Sequence, residues 1–186
     1  MNKKSISVIG TGKLGLCFAL NLEAVGYHVD AYDIDKPYLN LLKAKKFQST
    51  EPGVTDMLQR STNLFFHERL EDILVNDLIF IVVQTPSLPS GKYDHVNIES
   101  IKKQLIGYGK TQEPKHVIIN CTTFPGYCEQ LAKELEGINY TVTYNPEFIA
   151  QGSILHDQVH PDLVLIGEAN SNIGDLIEQV YKDYCL

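Results

Sequence analysis

The stretch ISVIGTGKLG, residues 6–15, decides how the rest of the chain is read. A short apolar strand, Ser5–Ile9, runs into Gly10, Gly12 and Gly15 at G-x-G-x-x-G spacing. A helix then opens over Lys13–Val25, apolar at Leu14, Cys17, Phe18 and Leu22 and closed by Gly26. The spacing alone is weak evidence. Its context is stronger, because the next strand, His28–Tyr32, ends on an acid, Asp33. Strand, glycine turn, helix, strand and acid together form a dinucleotide-binding fingerprint.

Each glycine has its own reason. Gly10 permits the tight turn, Gly12 lacks the Cβ that would block a pyrophosphate, and Gly15 lets the helix lie close to the strand. Free N–H groups and the positive end of the helix then hold a diphosphate without a dedicated cation. Asp33 would accept hydrogen bonds from the adenosine ribose and repel a 2′-phosphate, which favours NAD over NADP. Asp35 competes for that role with poorer spacing. The bland alternative is a tight strand-to-helix turn with solvent-facing acids.

Outward from this stretch, strand and helix alternate almost throughout. Further helices are expected at Lys36–Lys45, Val54–Arg60, Ile98–Gly107, Gly126–Leu135 and Ser171–Tyr184. Further strands are expected at Leu64–Phe66, Asp77–Val83, His116–Asn120, Tyr140–Tyr144 and, as a seventh, Leu163–Ile166. DLIFIVV, residues 77–83, is apolar nearly without interruption, as a strand covered on both faces must be. The pattern predicts a Rossmann-type α/β fold, a doubly wound and mainly parallel sheet with helices on both faces. With 186 residues and no linker, the expectation is one domain over residues 1–186.

Composition narrows the function classes. The net charge is −7 with no basic cluster, which argues against nucleic acid or an anionic membrane as partner. No apolar run approaches the ~18 residues of a membrane helix, and the N-terminal apolar stretch is too short for a signal peptide. Cys17, Cys121, Cys128 and Cys185 show neither CxxC nor zinc spacing, and scattered thiols fit a cytoplasmic setting.

Three motifs fall just beyond predicted strand ends, where doubly wound sheets bind ligands. VVQTPS places Thr85 there, NCTTFPG places Thr122, and YNPEF places Glu147. Each proline also has a plain role in stopping a strand. Three such ends beside a glycine loop point to a pocket.

The order of GTGKLG, DID, EPGV, VVQTPSLPSGKYD, CTTFPG, NPEFIAQG and PDLVLIG resembles the UDP-glucose/GDP-mannose dehydrogenases over essentially the whole chain. The resemblance implies an enzyme that oxidises a sugar C6 alcohol to a carboxylate with two NAD, through a cysteine-bound thiohemiacetal and thioester. It implies that Gly10, Gly12, Lys13, Leu14, Gly15, Asp33, Thr85 and Thr122 serve the cofactor. Thr122 and Glu147 would order a water near the reacting carbon, with Glu147 as base. Glu147, Phe148, Ile149 and Gln151 would face the substrate, a UDP- or GDP-linked sugar used for polysaccharide synthesis.

The chain departs from the family's pattern in two places. Gln151 stands where a second glutamate is usual, and an amide neither takes a proton from water nor carries negative charge. The central Lys/Asn helix and the nucleotide-sugar domain with its Gly-Gly-x-Cys nucleophile have no counterpart in these residues. None of the four cysteines sits beside a Lys or His that would mark it as a nucleophile, and Cys121 is expected to point away from Thr122. The chain is therefore expected to bind cofactor without completing the reaction. It would be monomeric as a fragment and at least dimeric as a complete enzyme. The rival readings are a freestanding, non-catalytic NAD-binding or sensing module and a dehydrogenase of another substrate class. HDQVH, residues 156–160, resembles a zinc-binding HExxH but lacks the glutamate and is followed by Pro161, so no metal is expected. Asn120-Cys-Thr and Asn139-Tyr-Thr match the glycosylation sequon by chance.

Overall fold

A computed structural model describes residues 5–186; the basic start at residues 1–4 lies outside the described residues. In chain order the elements are β1 Ser5–Ile9, α1 Lys13–Ala24, β2 His28–Tyr32, α2 Lys36–Lys43, α3 Val54–Arg60, β3 Leu64–His67 and β4 Leu78–Ile81. There follow α4 Val96–Tyr108, β5 Lys115–Ile119, α5 Tyr127–Glu136, β6 Tyr140–Tyr144, α6 Ile154–Val159 and α7 Ser171–Tyr184. The six strands form one parallel sheet in the order β3-β2-β1-β4-β5-β6. The order reverses between β1 and β4, so a crevice opens beyond their carboxyl ends.

Both faces of the sheet are covered, and the sequence pattern shows why. Every side chain of β4 is buried, since its alternate residues feed opposite layers. On one face Phe80 meets Phe18 of α1 at a ring separation of 4.8 Å, and Phe18 meets Tyr184 of α7 at 6.0 Å. On the other, Ile79 and Ile81 pack with Ile98, Ile101 and Leu105 of α4 and Leu131 and Leu135 of α5.

The predicted seventh strand does not form. Between Leu163 and Ile166 the chain pairs with no strand, and only Gly167 bridges Tyr144, antiparallel, with N···O distances of 3.1 and 2.7 Å. The reason is local competition. The Asn145 side-chain amide takes the Leu165 carbonyl at 2.9 Å, and Leu163 and Leu165 face solvent where a paired strand would need cover. A helix, α6, forms instead in the segment before Pro161. Its start is held by Glu51, which is 4% exposed. The Glu51 carboxylate accepts the Gly152 N–H at 2.9 and 3.0 Å and the Ile154 N–H at 3.4 Å. The EPGV motif thus anchors a segment a hundred residues away. A 3₁₀ turn at Leu70–Ile73 was also not expected from the sequence.

The turn between β1 and α1 is the tightest contact in the sheet. A Cβ on Gly10, whose φ is +93°, would lie 2.3 Å from the Val82 carbonyl oxygen. A Cβ on Gly15 would lie 1.9 Å from the Gly10 carbonyl oxygen. One on Gly12 would meet nothing within 4 Å. Helix propensity favours Gly15→Ala by about 1 kcal/mol, but the backbone clash outweighs it. Gly15→Ala is expected to cost at least about 2 kcal/mol in urea denaturation, and Gly12→Ala to stay within about 0.5 kcal/mol of the parent.

Candidate functional site

Two cavities, of about 420 and 400 Å³, lie beyond the ends of β1 and β4. Both are lined by Gly12, Val82, Val83 and Gln84, so they form one cleft astride the glycine loop. The first lobe runs from Gly10 over Asp33, Ile34 and Asp35 to Asn97, Ser100, Ile101 and Gln104 of α4. The second runs from Lys13, Leu14 and Gly15 past Thr85 to Asn120, Cys121, Thr122, Glu147 and Gln151. Residues separated by more than a hundred positions therefore meet across one opening.

The two acids after β2 divide the work. Asp33 Oδ2 accepts the Thr11 N–H at 2.7 Å and the Thr11 hydroxyl at 3.1 Å, while Oδ1 accepts the Asp35 N–H at 3.0 Å. Asp35 caps α2 through the Tyr38 N–H at 3.0 Å, and the Tyr38 hydroxyl returns to the Thr11 carbonyl at 2.7 Å. Asp35 is thus committed to a helix end. Asp33 is held rigidly against the glycine loop and keeps one lone pair of Oδ1 for a ligand.

Two residues expected at the substrate do not line these two lobes. Phe148 is 57% exposed, and Ile149 packs against the core; both border a small crevice with Pro161 and Leu163 outside the cleft. The chain reaches the lobe again at Gln151, next to Gly152, which turns at φ +102° and is fastened by Glu51. Gln151 closes the mouth of the second lobe, its Oε1 accepting from Lys13 Nζ at 3.4 Å. Four α4 residues and Asn120 were not foreseen. The α4 residues carry no motif, and Asn120 lay hidden inside a chance sequon. The His156 and His160 rings stack 4.3 Å apart, and among the described residues no three His, Cys, Asp or Glu side chains cluster as a metal site.

The sequence profile of the UDP-glucose/GDP-mannose dehydrogenase family, NAD binding domain, matches residues 4–185. The chain belongs to that family. It is 30% identical to UDP-glucose 6-dehydrogenase YwqF of Bacillus subtilis and 29% identical to GDP-mannose 6-dehydrogenase of Pseudomonas aeruginosa. These matches cover 97% and 96% of this chain but 42% and 44% of those proteins, so the chain spans less than half the length of such relatives. Among solved structures, a ternary complex of the Pseudomonas aeruginosa GDP-mannose dehydrogenase superposes with a TM-score of 0.88 at 27% identity, over 98% of this chain and 44% of that one. A UDP-glucose dehydrogenase from Pyrobaculum islandicum gives 0.85 at 29% identity, over 97% and 44%.

Within this dehydrogenase domain the electrostatics single out one carboxyl. Burial pushes the Glu147 pKa up from 4.5 to about 7, with hydrogen bonding from the Asn120 amide acting in the opposite direction. Its Oε1 and the Asn120 Oδ1 are both buried and, among the described residues, without a donor. The thiols go the other way from activation. Burial raises Cys17 and Cys121 to about 12 and raises Cys128 and Cys185 as well. Cys121 is nine-tenths buried, in a bend, and Thr122 is exposed, yet both line the second lobe.

The raised carboxyl has a consequence for stability. Between pH 4.5 and about 7 the folded chain binds more protons at Glu147 than the unfolded chain does, so stability falls as pH rises through that window. Glu147→Gln removes this dependence. Urea denaturation at pH 5 and pH 8 is expected to show the variant gaining about 2.5 kcal/mol relative to the parent at the higher pH.

Proposed function

We propose that this chain is the cofactor half of a nucleotide-sugar 6-dehydrogenase, one that oxidises the C6 alcohol of a UDP- or GDP-linked sugar to the uronic acid. The observation that carries the proposal is the continuity of the cleft. A glycine-rich loop with a pinned acid lies at one end, and a buried carboxyl with an unpaired oxygen lies at the other. The relatives' names supply the substrate class.

The site fits NAD. Open space around the Gly12 Cα leaves room for a diphosphate over the N-terminus of α1, which has no side-chain cap and no acid in its first turn. Asp33 would take a ribose hydroxyl on Oδ1 and exclude a 2′-phosphate by charge. Ile34, 79% exposed, and Ile101 would sandwich the adenine end. When bound, NAD supplies the hydride acceptor. Thr85 and Thr122 would flank its reactive end, beside Glu147.

Glu147 would then hold or release a proton near neutral pH, as a base for water attack on an acyl intermediate must. Thr122 would fix that water. Gln151 would offer hydrogen bonds to the sugar without serving as an acid. The nucleophile belongs to another part of the enzyme, because all four thiols of this chain are buried or half-buried and their pKa values raised. The complete enzyme would be cytoplasmic and at least dimeric.

Fluorescence titration with NADH and NADPH tests the cofactor assignment. NADH is expected to saturate the chain, with NADPH weaker by about tenfold or more. Asp33→Ala is expected to narrow that ratio, and Gly12→Ala to weaken NADH with the fold intact. Absence of NADH binding at millimolar concentration would sink the assignment.

A further inference from the structure

Gln151 reaches the mouth of the second lobe from a stretch without regular structure. Residues 145–153 belong to no helix or strand, and Gly152 turns at φ +102°. What fixes the turn is Glu51, from the segment before α3. Its carboxylate, in a residue only 4% exposed, accepts the Gly152 N–H on both oxygens, at 2.9 and 3.0 Å, and the Ile154 N–H at 3.4 Å. Glu51 is itself set by Ser49. The Ser49 hydroxyl accepts the Glu51 N–H at 3.1 Å, and the Ser49 N–H goes to the Thr55 hydroxyl at 3.0 Å.

Downstream, α6 is tied in place independently. Asn21 of α1 donates to Gln158 Oε1 at 3.1 Å, both residues being buried, and the Leu186 N–H donates to the Val159 carbonyl at 2.8 Å. At the turn, by contrast, the Gly152 N–H goes to Glu51 alone among the described residues. Glu51 therefore governs the turn more than the helix.

Gln151 sits directly before this pinned residue. Its Oε1 accepts from Lys13 Nζ at 3.4 Å, and both side chains line the second lobe. Lys13 is the first residue of α1, so the contact spans the mouth from the glycine-loop helix to the opposite wall. Both side chains are exposed. A hydrogen bond between long, exposed side chains barely offsets the freedom they lose, so it depends on backbone ends already held in place. The helix start holds one end and Glu51 the other.

We propose that Glu51 is a positioning residue of the cleft: through the Gly152 N–H it holds Gln151 against Lys13, closing the second lobe over the nicotinamide end of a bound dinucleotide. The inference rests on the cofactor reading of that cleft. A carboxylate suits the task, because both of its oxygens accept and its charge strengthens bonds from backbone N–H groups. A glutamine there would turn a donor toward them.

The test compares NADH with AMP, which carries the adenosine end alone, in titrations of the full chain. Glu51→Gln is expected to weaken NADH about fivefold and to leave AMP unchanged. Gln151→Ala, a change at an exposed position, is expected to do the same, and the double variant to lose no more than either single one. Amide hydrogen exchange at Gly152 is expected to quicken in Glu51→Gln and not in Gln151→Ala. Leu135→Val, in the core at the end of α5 away from Thr122, controls for lost stability and is expected to leave NADH unchanged. NADH affinity unmoved by Glu51→Gln, an equal loss for AMP or in Leu135→Val, unaltered exchange at Gly152, or additive losses in the double variant would each overturn the proposal. Should Glu51→Gln not fold, Gly152→Ala decides, since a Cβ there meets nothing within 4 Å and the change strains only the turn. Weakened NADH with AMP unchanged then upholds the proposal, and unchanged NADH overturns it. A parent chain that binds no NADH defeats the cofactor reading and the positioning role with it. A parent that binds NADH no better than Glu51→Gln does defeats the positioning role alone.

Discussion

The contact that the rest of the molecule depends on is the crossing of the β1–α1 turn over the end of β4. Gly10 and Gly15 bring backbone against backbone there, at separations no side chain tolerates. That approach lets α1 lie flat on the sheet, where Phe18 meets Phe80 and the core of one face begins. It also leaves the first N–H groups of α1 pointing into the crevice rather than into protein. The same constraint thus builds the hydrophobic layer and sets the start of α1 beside the crevice, because both need the helix start close to the strand ends.

Around this fixed point the far wall of the cleft has to be brought in from the chain's second half. Two buried anchors do so. Glu51 holds the segment at Gly152 and Ile154, while Asn145 is tied to Asn120, Leu165 and Tyr181. Buried polar groups are costly unless fully paired, so such networks hold one geometry in preference to others. The exception is instructive. Glu147 Oε1 and Asn120 Oδ1, the two acceptors facing the cleft, are among the few buried side-chain atoms left without a donor. Asn145 is thus fully paired, while Asn120 and Glu147 beside it each keep a buried acceptor without a donor among the described residues.

Much of this was legible in the residues. The six strands of the sheet and most helices followed from period and glycine placement, to within a few residues at their ends. Leu163–Ile166 misled because a continuous apolar run reads as a strand, whereas pairing depended on whether Asn145 left the neighbouring backbone free. The α6 helix was missed because HDQVH was weighed only as a metal motif, and Glu51, which holds the start of the helix, lies far upstream. Thr85, Thr122, Glu147 and Gln151 do line the cleft, but Phe148 and Ile149 do not, since Phe148 stands in solvent and Ile149 packs against the core.

By itself the sequence determined whatever depends on neighbours along the chain. It set which runs are strands or helices, where the backbone must pass through glycine, and which acid follows the second strand, because these are matters of local sterics and period. Tertiary structure alone decided how Asp33 and Asp35 share their hydrogen bonds, why burial raises the Glu147 carboxyl toward neutrality, and which partners Asn120, Asn145, Tyr181 and Glu51 take. Burial and hydrogen-bond partnership join residues from separate elements, and no local spacing records which of them will meet.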